Sequence, residues 1–250
     1  MLWEKHNYLN KSVPYIVSQE IIEYDIKSAG FNLIKKFKLL SESKIKHLES
    51  LDKKKRQIMI GLYEKNDKDL KKSLNNAFVE ARRIFFESNN LVDEDILSIK
   101  KDAIITTRRC DKLVFDNIEF VEKHIYTSYY YINKFEFYLS TDSIDVKGIN
   151  DDKLKLHKDY MLDFLFKIFK MMETTSRDIV IKNIKEFSYY YKTRQLEIGY
   201  YRELNKDSLF KLNISLMKTM VGVIDTDDIT DIDINYNFIH YIIPIINLLI

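Results

Sequence analysis

Cysteine, proline and glycine are all scarce in this sequence, which has one Cys, two Pro and five Gly among 250 residues. The single Cys110 excludes an internal disulfide framework and a Cys-rich zinc site, and it fits a reducing cytoplasm. A Gly-rich phosphate loop and a serine-nucleophile motif are also missing, which argues against P-loop hydrolases and acyl transferases. With so few glycines and prolines, the chain should consist mainly of regular elements with short connections.

Long apolar runs are missing as well. The C-terminal stretch 239–250 is very apolar but falls well short of the ~20 residues that span a bilayer. It is better interpreted as part of a buried helix that begins near Asn235. The start of the sequence has no basic region followed by an apolar run, so no signal peptide is expected. We therefore predict a cytoplasmic protein, in the host cytoplasm if a phage encodes it, with no membrane partner.

Charge is nearly balanced overall but unevenly distributed. The chain has 40 Lys and Arg against 38 Asp and Glu, a net charge of +2. Residues 35–72 contain thirteen basic and six acidic side chains, whereas the chain from Asp225 onward has five Asp and no basic residue. The basic segment can bind nucleic acid. A solvated helix face explains such a run equally well.

Hydrophobic periodicity predicts strands and helices in the first part of the chain and helices in the last part. The predicted strands are 18–26, 96–106, 112–120, 124–132 and 135–139. The predicted helices are 27–40, 41–51, 52–63, 67–88, 154–172, 177–191 and 206–217, followed by the apolar terminal helix. A change in composition near Gly148–Asp152 predicts a boundary between residues 1–150 and 151–250.

Two aspartates interrupt strand-like runs. Asp25 stands near the end of the first strand, and Asp102 lies within the apolar run 96–105. A buried aspartate costs several kcal/mol unless it is paired or coordinates a metal. Two such residues on neighbouring strands can share Mg²⁺ or Mn²⁺. The alternative is that each pairs with a lysine next to it in sequence, or lies at an exposed strand end.

A basic helix lies between these aspartates in sequence. Lys55 and Tyr63 are eight residues apart on it, and Lys54 and Arg56 flank the first of them. Carboxylates that hold divalent metal ions, with a cation that neutralises phosphate charge, are the parts that two-metal phosphoryl transfer needs. The order of these parts therefore predicts that chemistry.

This order of motifs resembles the palm and fingers of family A polymerases and single-subunit phage RNA polymerases. The resemblance implies that Asp25 and Asp102 bind the catalytic metal ions. It implies that Lys55 contacts the incoming triphosphate and that Tyr63 faces the sugar and base. Gly30 occupies the position where the RNA-making relatives have Gly and the DNA polymerases usually carry a Glu that excludes a ribose 2′-OH. By resemblance, the substrates would be ribonucleotides.

The sequence departs from that pattern in identifiable places. The resemblance covers roughly residues 20–107, less than half of the chain. Leu51 stands where a basic residue is usual, Glu64 replaces the Gly that usually follows the Tyr, and Ala103 replaces a further acidic ligand. A thumb has no room before Asp25, so the C-terminal helices or a protein partner would have to supply its function.

Together these features predict a helix-rich α+β protein. It would have a small antiparallel palm-like sheet with helices on one side, and a C-terminal helical region. Residues 1–150 would form the palm- and fingers-like catalytic core. The predicted function is template-directed nucleotidyl transfer, in RNA synthesis or priming. Asp25 and Asp102 would bind Mg²⁺ or Mn²⁺, Lys55 and Tyr63 would serve catalysis, and the nucleotide would be bound by Gly30, Lys54 and Arg56.

Two non-enzymatic functions are the alternatives. In the first, it is a nucleic-acid-binding or virion-associated protein that uses its basic helices, and the two aspartates are structural. In the second, it is a host-interaction protein that binds another protein through its Tyr-rich half.

Overall fold

The structure, a computed structural model, describes residues 1–132, 134–149, 151–155 and 159–202. The helix predicted at 206–217, the acidic segment after it and the apolar terminal helix lie outside these residues. Within them, helices and two antiparallel sheets form an α+β fold whose last described part is helical. The predicted fold class is therefore confirmed.

The elements follow the predicted order closely. The strands are β1 (Asn7–Leu9), β2 (Tyr15–Ile16), β3 (Ile21–Ile26), β4 (Ile96–Lys100), β5 (Ala103–Thr106), β6 (Val114–Phe115), β7 (Ile118–Tyr126), β8 (Ser128–Ile132), β9 (Phe135–Leu139) and β10 (Ile144–Lys147). The helices are α1 (Ala29–Lys36), α2 (Glu42–Glu49), α3 (Lys53–Asn66), α4 (Lys68–Asn89), α5 (Asp151–Lys155), α6 (Met161–Thr174), α7 (Arg177–Lys192) and α8 (Ile198–Arg202). The elements that the sequence did not predict, β1, β2, β10 and α8, span two to five residues each, too few for a periodic pattern to appear.

The first sheet has the strand order β1-β4-β5-β3-β7-β6, with every neighbouring pair antiparallel. Helices α1 to α4 connect β3 to β4. Strand β5 returns between them and pairs with both, so β3 and β4 run parallel. This is a split β-α-β arrangement. It brings β3, early in the chain, beside a hairpin that follows about 70 residues later.

The helices pack on one face of this sheet. Tyr24 of β3 contacts Phe85 of α4 with ring centroids 5.3 Å apart, and Phe85 stacks on Phe120 of β7 at 4.3 Å. The apolar stripe that the spacing predicts on α4, Leu70 to Phe85, is buried, and its residues from Leu74 onward belong to this core. Because strand side chains alternate between faces, the neighbours of Tyr24 point to the other side of the sheet.

The second sheet has the order β10-β9-β8-β2 and packs with helices α6 and α7. Tyr130 of β8 is fully buried and stacks on Phe169 of α6, with ring centroids 4.1 Å apart. Tyr129 and Tyr191 are fully buried as well. These tyrosines of the Tyr-rich half therefore serve packing.

The described chain divides into two compact units. One consists of Met1–Val13 and Gln19–Tyr126, and the other of Pro14–Ser18 and the residues from Thr127 onward. Composition placed the boundary near residue 150 instead. The division falls earlier because β8, β9 and β10 pair with β2 in a sheet of their own and share a core with the helices that follow.

Arg82 of α4, which lies beside the apolar stripe of that helix, is a buried ion. The side chain is 0% exposed. Its Nε donates to the Trp3 carbonyl at 2.8 Å, and its Nη1 donates to the Lys101 carbonyl. Burial lowers the pKa of the guanidinium to about 10, an effect that the charge of Asp102 opposes. Arg82 thus ties the first residues and the β4–β5 turn to α4.

We expect Arg82→Met to lower the free energy of unfolding by about 2–4 kcal/mol, because two carbonyls lose a charged donor in a desolvated place. Urea denaturation followed by circular dichroism measures this change. The neighbouring substitution Arg83→Met is the control, since Arg83 is partly exposed and its ion pairs with Glu80 and Glu87 are worth at most about 1 kcal/mol. Equal effects of the two substitutions would contradict this role of Arg82.

Candidate functional site

Asp25 and Asp102 lie next to each other in the first sheet. Strand pairing places Asp25 opposite Ala103, and Asp102 is the residue before Ala103. Asp102 lies in the two-residue turn of the β4–β5 hairpin, whereas the sequence placed it on a strand. The chain turns there because Lys101 adopts a left-handed conformation, with φ of 54°. The expected convergence of two segments distant in sequence is present, with one aspartate at the tip of a hairpin.

The two carboxylates influence each other. Burial raises the pKa of Asp102, and the nearby charge of Asp25 raises it further. Two effects, desolvation and like charge, therefore oppose the ionisation of Asp102. Such an environment favours the binding of a cation between the carboxylates, because a cation removes both penalties.

Lys123 of β7 supplies a cation to Asp25. Its Nζ lies 3.2 Å from Oδ2 of Asp25 and 3.5 Å from Oε1 of the buried Glu23. Burial lowers the pKa of Lys123, but the charges of these two carboxylates outweigh burial and leave the pKa raised. Lys27, the lysine two residues after Asp25 in the sequence, pairs with Glu119 instead. The partner of Asp25 therefore comes from the neighbouring strand.

An irregularity in strand pairing delivers Lys123 to this place. The β3–β7 register shifts between Glu23 and Tyr24, so β7 contains one extra residue at this point. Glu23 also accepts a hydrogen bond from the Tyr126 hydroxyl at 2.9 Å. The sheet thus carries a cluster of polar side chains, formed by Glu23, Asp25, Lys123 and Tyr126.

The carboxylate pair can hold Mg²⁺ or Mn²⁺ only together with other ligands. Oδ1 of Asp25 is buried and accepts no hydrogen bond within the described part of the chain. Mg²⁺ is commonly bound by one or two carboxylates, with waters and substrate phosphates completing its shell. No group of three or more His, Cys, Asp or Glu suited to a metal occurs among the described residues. The donor set therefore fits Mg²⁺ bound together with a phosphate ligand.

A cleft opens beside Asp102, between the start of α1 and one face of α3. Residues 28–31 form one wall, and Lys53, Gln57, Gly61 and Glu64 lie on the other, with Asp102 also lining it. Its volume is about 160 Å³. One water needs about 10–15 Å³ by a comparable measure, so the cleft is large enough for a small ligand. Asp102 belongs to both the carboxylate pair and the cleft.

The cleft contains some of the predicted site residues and not others. Gly30 and Arg56 line it, whereas Lys54, Lys55 and Tyr63 do not. The Lys55 side chain is 72% exposed and pairs with Asp52 at 3.3 Å. Tyr63 packs against the core, and Lys44 Nζ lies 5.2 Å from the centre of its ring.

Helix geometry explains why Lys55 and Tyr63 lie outside the cleft. Residues two apart on a helix are rotated by roughly 200°, so Lys55 and Lys53 point to opposite sides of α3. The same rotation separates Tyr63 from Gly61. The Asp52 side chain caps this helix by accepting from the Lys55 amide at 2.9 Å. Two residues eight positions apart on α3 do face the cleft, but they are Lys53 and Gly61, and not Lys55 and Tyr63.

Arg56 lines the cleft with a side chain that is already engaged. Its Nε and Nη2 donate to the carbonyls of Leu48 and Leu51, both at 2.9 Å. Its guanidinium lies 4.4 Å from the centre of the Phe31 ring. Arg56 therefore binds the end of α2 and shapes the wall. Lys53, which has no ion pair among the described residues, is the cation available to a ligand.

Sequence reasoning missed several residues of this site. Lys53, Gln57 and Gly61 recur every four residues after the capping Asp52, a spacing that could have indicated one helix face. Lys123 carries no such signal, because an irregularity in strand pairing places it and sequence periodicity does not reveal that irregularity.

A model of a known protein family matches the whole chain. The sequence model described as Bacteriophage PBS1 gene 130 protein matches residues 1–250. The chain belongs to this family. Its description names a phage gene and no activity, so the phage origin is confirmed and the polymerase resemblance stays a prediction. No curated protein matches the chain.

Among the described residues, no helix is both long and apolar enough to cross a bilayer. The apolar stretch 239–250 lies outside those residues.

The raised pKa of Asp102 predicts how this family member responds to pH. A carboxyl whose pKa rises on folding stabilises the fold when protonated, and this contribution is lost as the pH rises through its folded pKa. Asp102→Asn should therefore increase the free energy of unfolding at pH 7, and should change it little near pH 3, below the ordinary Asp pKa of about 3.9. Urea denaturation at both pH values measures this.

The contrasting variant is Asp25→Asn. It deprives Lys123 of a carboxylate at 3.2 Å and should lower the free energy of unfolding at pH 7. A loss of stability at pH 7 in Asp102→Asn would show that the Asp102 carboxylate is held for structure and not under electrostatic strain.

Proposed function

We propose that the protein transfers nucleotidyl groups from ribonucleoside triphosphates, in template-directed RNA synthesis or priming. The observation that carries this proposal is the position of Asp102. It interacts with Asp25 and also lines a cleft whose other wall is the basic helix α3. Asp102 therefore connects the carboxylate pair with the cleft beside the cationic helix, and these parts are distant in sequence.

Asp25 and Asp102 would hold the divalent metal ions. Bound Mg²⁺ or Mn²⁺ would neutralise charge on the triphosphate and would make the attacking 3′-hydroxyl a better nucleophile. Lys123 holds Asp25 through Oδ2, and the buried Oδ1, which accepts no hydrogen bond from the described residues, would bind a cation. Arg82 fixes the turn that carries Asp102 by donating a hydrogen bond to the Lys101 carbonyl. The basic first turn of α3 would attract the triphosphate, since helix N-termini and lysines both favour anions.

The proposal extends to partners and place of action. The substrates would be a nucleic acid template and nucleoside triphosphates, and a protein partner would supply the missing thumb function. A phage-encoded enzyme of this kind would work in the host cytoplasm.

The first test is synthesis. Purified protein is given primed and unprimed templates, all four ribonucleotides and either Mg²⁺ or Mn²⁺, and products are resolved on a gel. We expect product from the wild type and a loss of about 10²-fold or more in Asp25→Asn and in Asp102→Asn, because each removes half of the metal-binding charge. Asp111→Asn, which removes an exposed carboxylate away from the cleft, is the control. Full activity in both variants would contradict the proposal.

The second test is the choice of sugar. Gly30 lines the cleft, and a Cβ there would lie 3.7 Å from Ile60, an ordinary contact. We expect the wild type to prefer ribonucleotides and Gly30→Glu to shift incorporation toward deoxynucleotides, because the longer side chain would fill the space beside a 2′-hydroxyl. Gly30→Ala is the control for changes in the helix itself. Tyr63 lies outside the cleft, so Tyr63→Phe should leave sugar preference unchanged. A wild type that prefers deoxynucleotides would contradict this assignment.

A second candidate function is nucleic-acid binding without chemistry. Nine lysines on α2, α3 and α4 are exposed: Lys44, Lys46, Lys53, Lys54, Lys55, Lys65, Lys68, Lys71 and Lys72. Such a surface binds phosphate backbones with an affinity that falls steeply with salt. Salt-sensitive binding, with no product under any condition, would favour this function or a virion or host-interaction role over transfer.

A further inference from the structure

Two of the five glycines in the chain, Gly30 and Gly61, line the same cleft. Both lie inside helices, α1 and α3. Glycine in a helix is less favourable than alanine by about 0.5–1 kcal/mol. A conformational need or a close packing contact usually explains a helical glycine.

Neither explanation applies to Gly61. Only Gly148, among the glycines described, has a positive φ. A Cβ built on Gly61 would have no atom within 4 Å, so packing does not require glycine there. The space beside Gly61 belongs to the cleft. Its lack of a side chain therefore enlarges the cleft at a cost to the helix.

The face of α3 that lines the cleft has an ordered set of polar groups. Lys53 lies at its start, Gln57 one turn later and Glu64 near its end, about 16 Å from Lys53 along the axis at 1.5 Å per residue. No hydrogen bond or ion pair engages these three side chains within the described part of the chain. Lys53, the cation of this set, lies at the N-terminal end of α3, and helix N-termini favour anions. Phe31 and Ile60 give the cleft an apolar wall.

We propose that this face of α3 binds a nucleoside phosphate, with Gly61 as the residue that sets how large a ligand fits. Lys53 contacts the phosphate. Gln57 donates and accepts hydrogen bonds along the nucleoside, and the Glu64 carboxylate accepts them. The ring system of the nucleoside packs on the apolar wall beside Gly61. The ligand class rests on the proposed function. The assignment replaces the Lys55–Tyr63 face that the motif spacing predicts with the Lys53–Gly61 face.

Binding of ATP, GTP, CTP and UTP, each measured separately by isothermal titration calorimetry, tests the charged contact. Lys53→Gln should weaken the tightest of the four about tenfold, as expected for loss of a charged hydrogen bond. Lys65→Gln is the matched control, because it removes the same charge from an exposed position of α3 outside the cleft and should change the affinity less than twofold. Weaker binding in Lys55→Gln, with normal binding in Lys53→Gln, would overturn the proposal.

Substitution of Gly61 tests the space. Gly61→Ala should raise the melting temperature, because alanine favours the helix and meets no neighbour. Gly61→Leu should fold equally well and lose triphosphate binding, since its side chain would fill the cleft. Leu62→Phe, which adds bulk at the next, partly exposed position outside the cleft, should bind normally. Normal binding by a folded Gly61→Leu protein would overturn the proposal.

The binding results separate this inference from the proposed function. A wild type that binds triphosphates with this dependence on Lys53 and Gly61, but makes no product, would overturn nucleotidyl transfer alone. Product formation that is unaffected in Lys53→Gln and Gly61→Leu would overturn this inference alone. If the wild type binds none of the four triphosphates, the inference fails whatever the synthesis assay gives.

Discussion

The pairing of β3 with β5 is the interaction on which the candidate site depends. These strands are far apart in sequence, and four helices lie between β3 and the β4–β5 hairpin. The register that sets Asp25 opposite Ala103 is fixed by alternation, because Tyr24 and Ile104 both have to face the helices. A shift by one residue would exchange the core face and the polar face of the whole strand. The position of the two carboxylates therefore follows from the packing of the core.

Electrostatics around the site is balanced by cations from two different elements. Lys123 neutralises Asp25 from β7, while the buried Arg82 holds the backbone beside Asp102 from α4. Asp102 itself has no ion pair among the described residues and has a raised pKa. An arrangement in which burial and a second carboxylate oppose the charge of Asp102 is costly to the fold, and such costs are found where a protein binds a ligand.

Much of the fold could be predicted from the sequence, but less of the site. The α4 stripe and the strand-like runs gave the elements, because their apolar residues recur with the periods of helix and strand. The closeness of Asp25 and Asp102 was also predicted. The face of α3 that lines the cleft was not predicted. The Lys55–Tyr63 spacing fixes only the positions of these two residues relative to each other, and it does not show which face of the helix packs inward. Lys123 could not be found, since pairing irregularities leave no mark on composition.

The short strand β2, Tyr15–Ile16, is synthesised long before the strand with which it pairs. Residues 14–18 belong to the second unit, but the chain before and after them belongs to the first. During translation they emerge early, and their partner, β8, follows more than 100 residues later. Such distant pairing is slow to form because a large loop has to close first. The first unit can thus assemble around an unpaired insertion, and a fragment ending at Tyr126 would keep a strand whose partner it lacks.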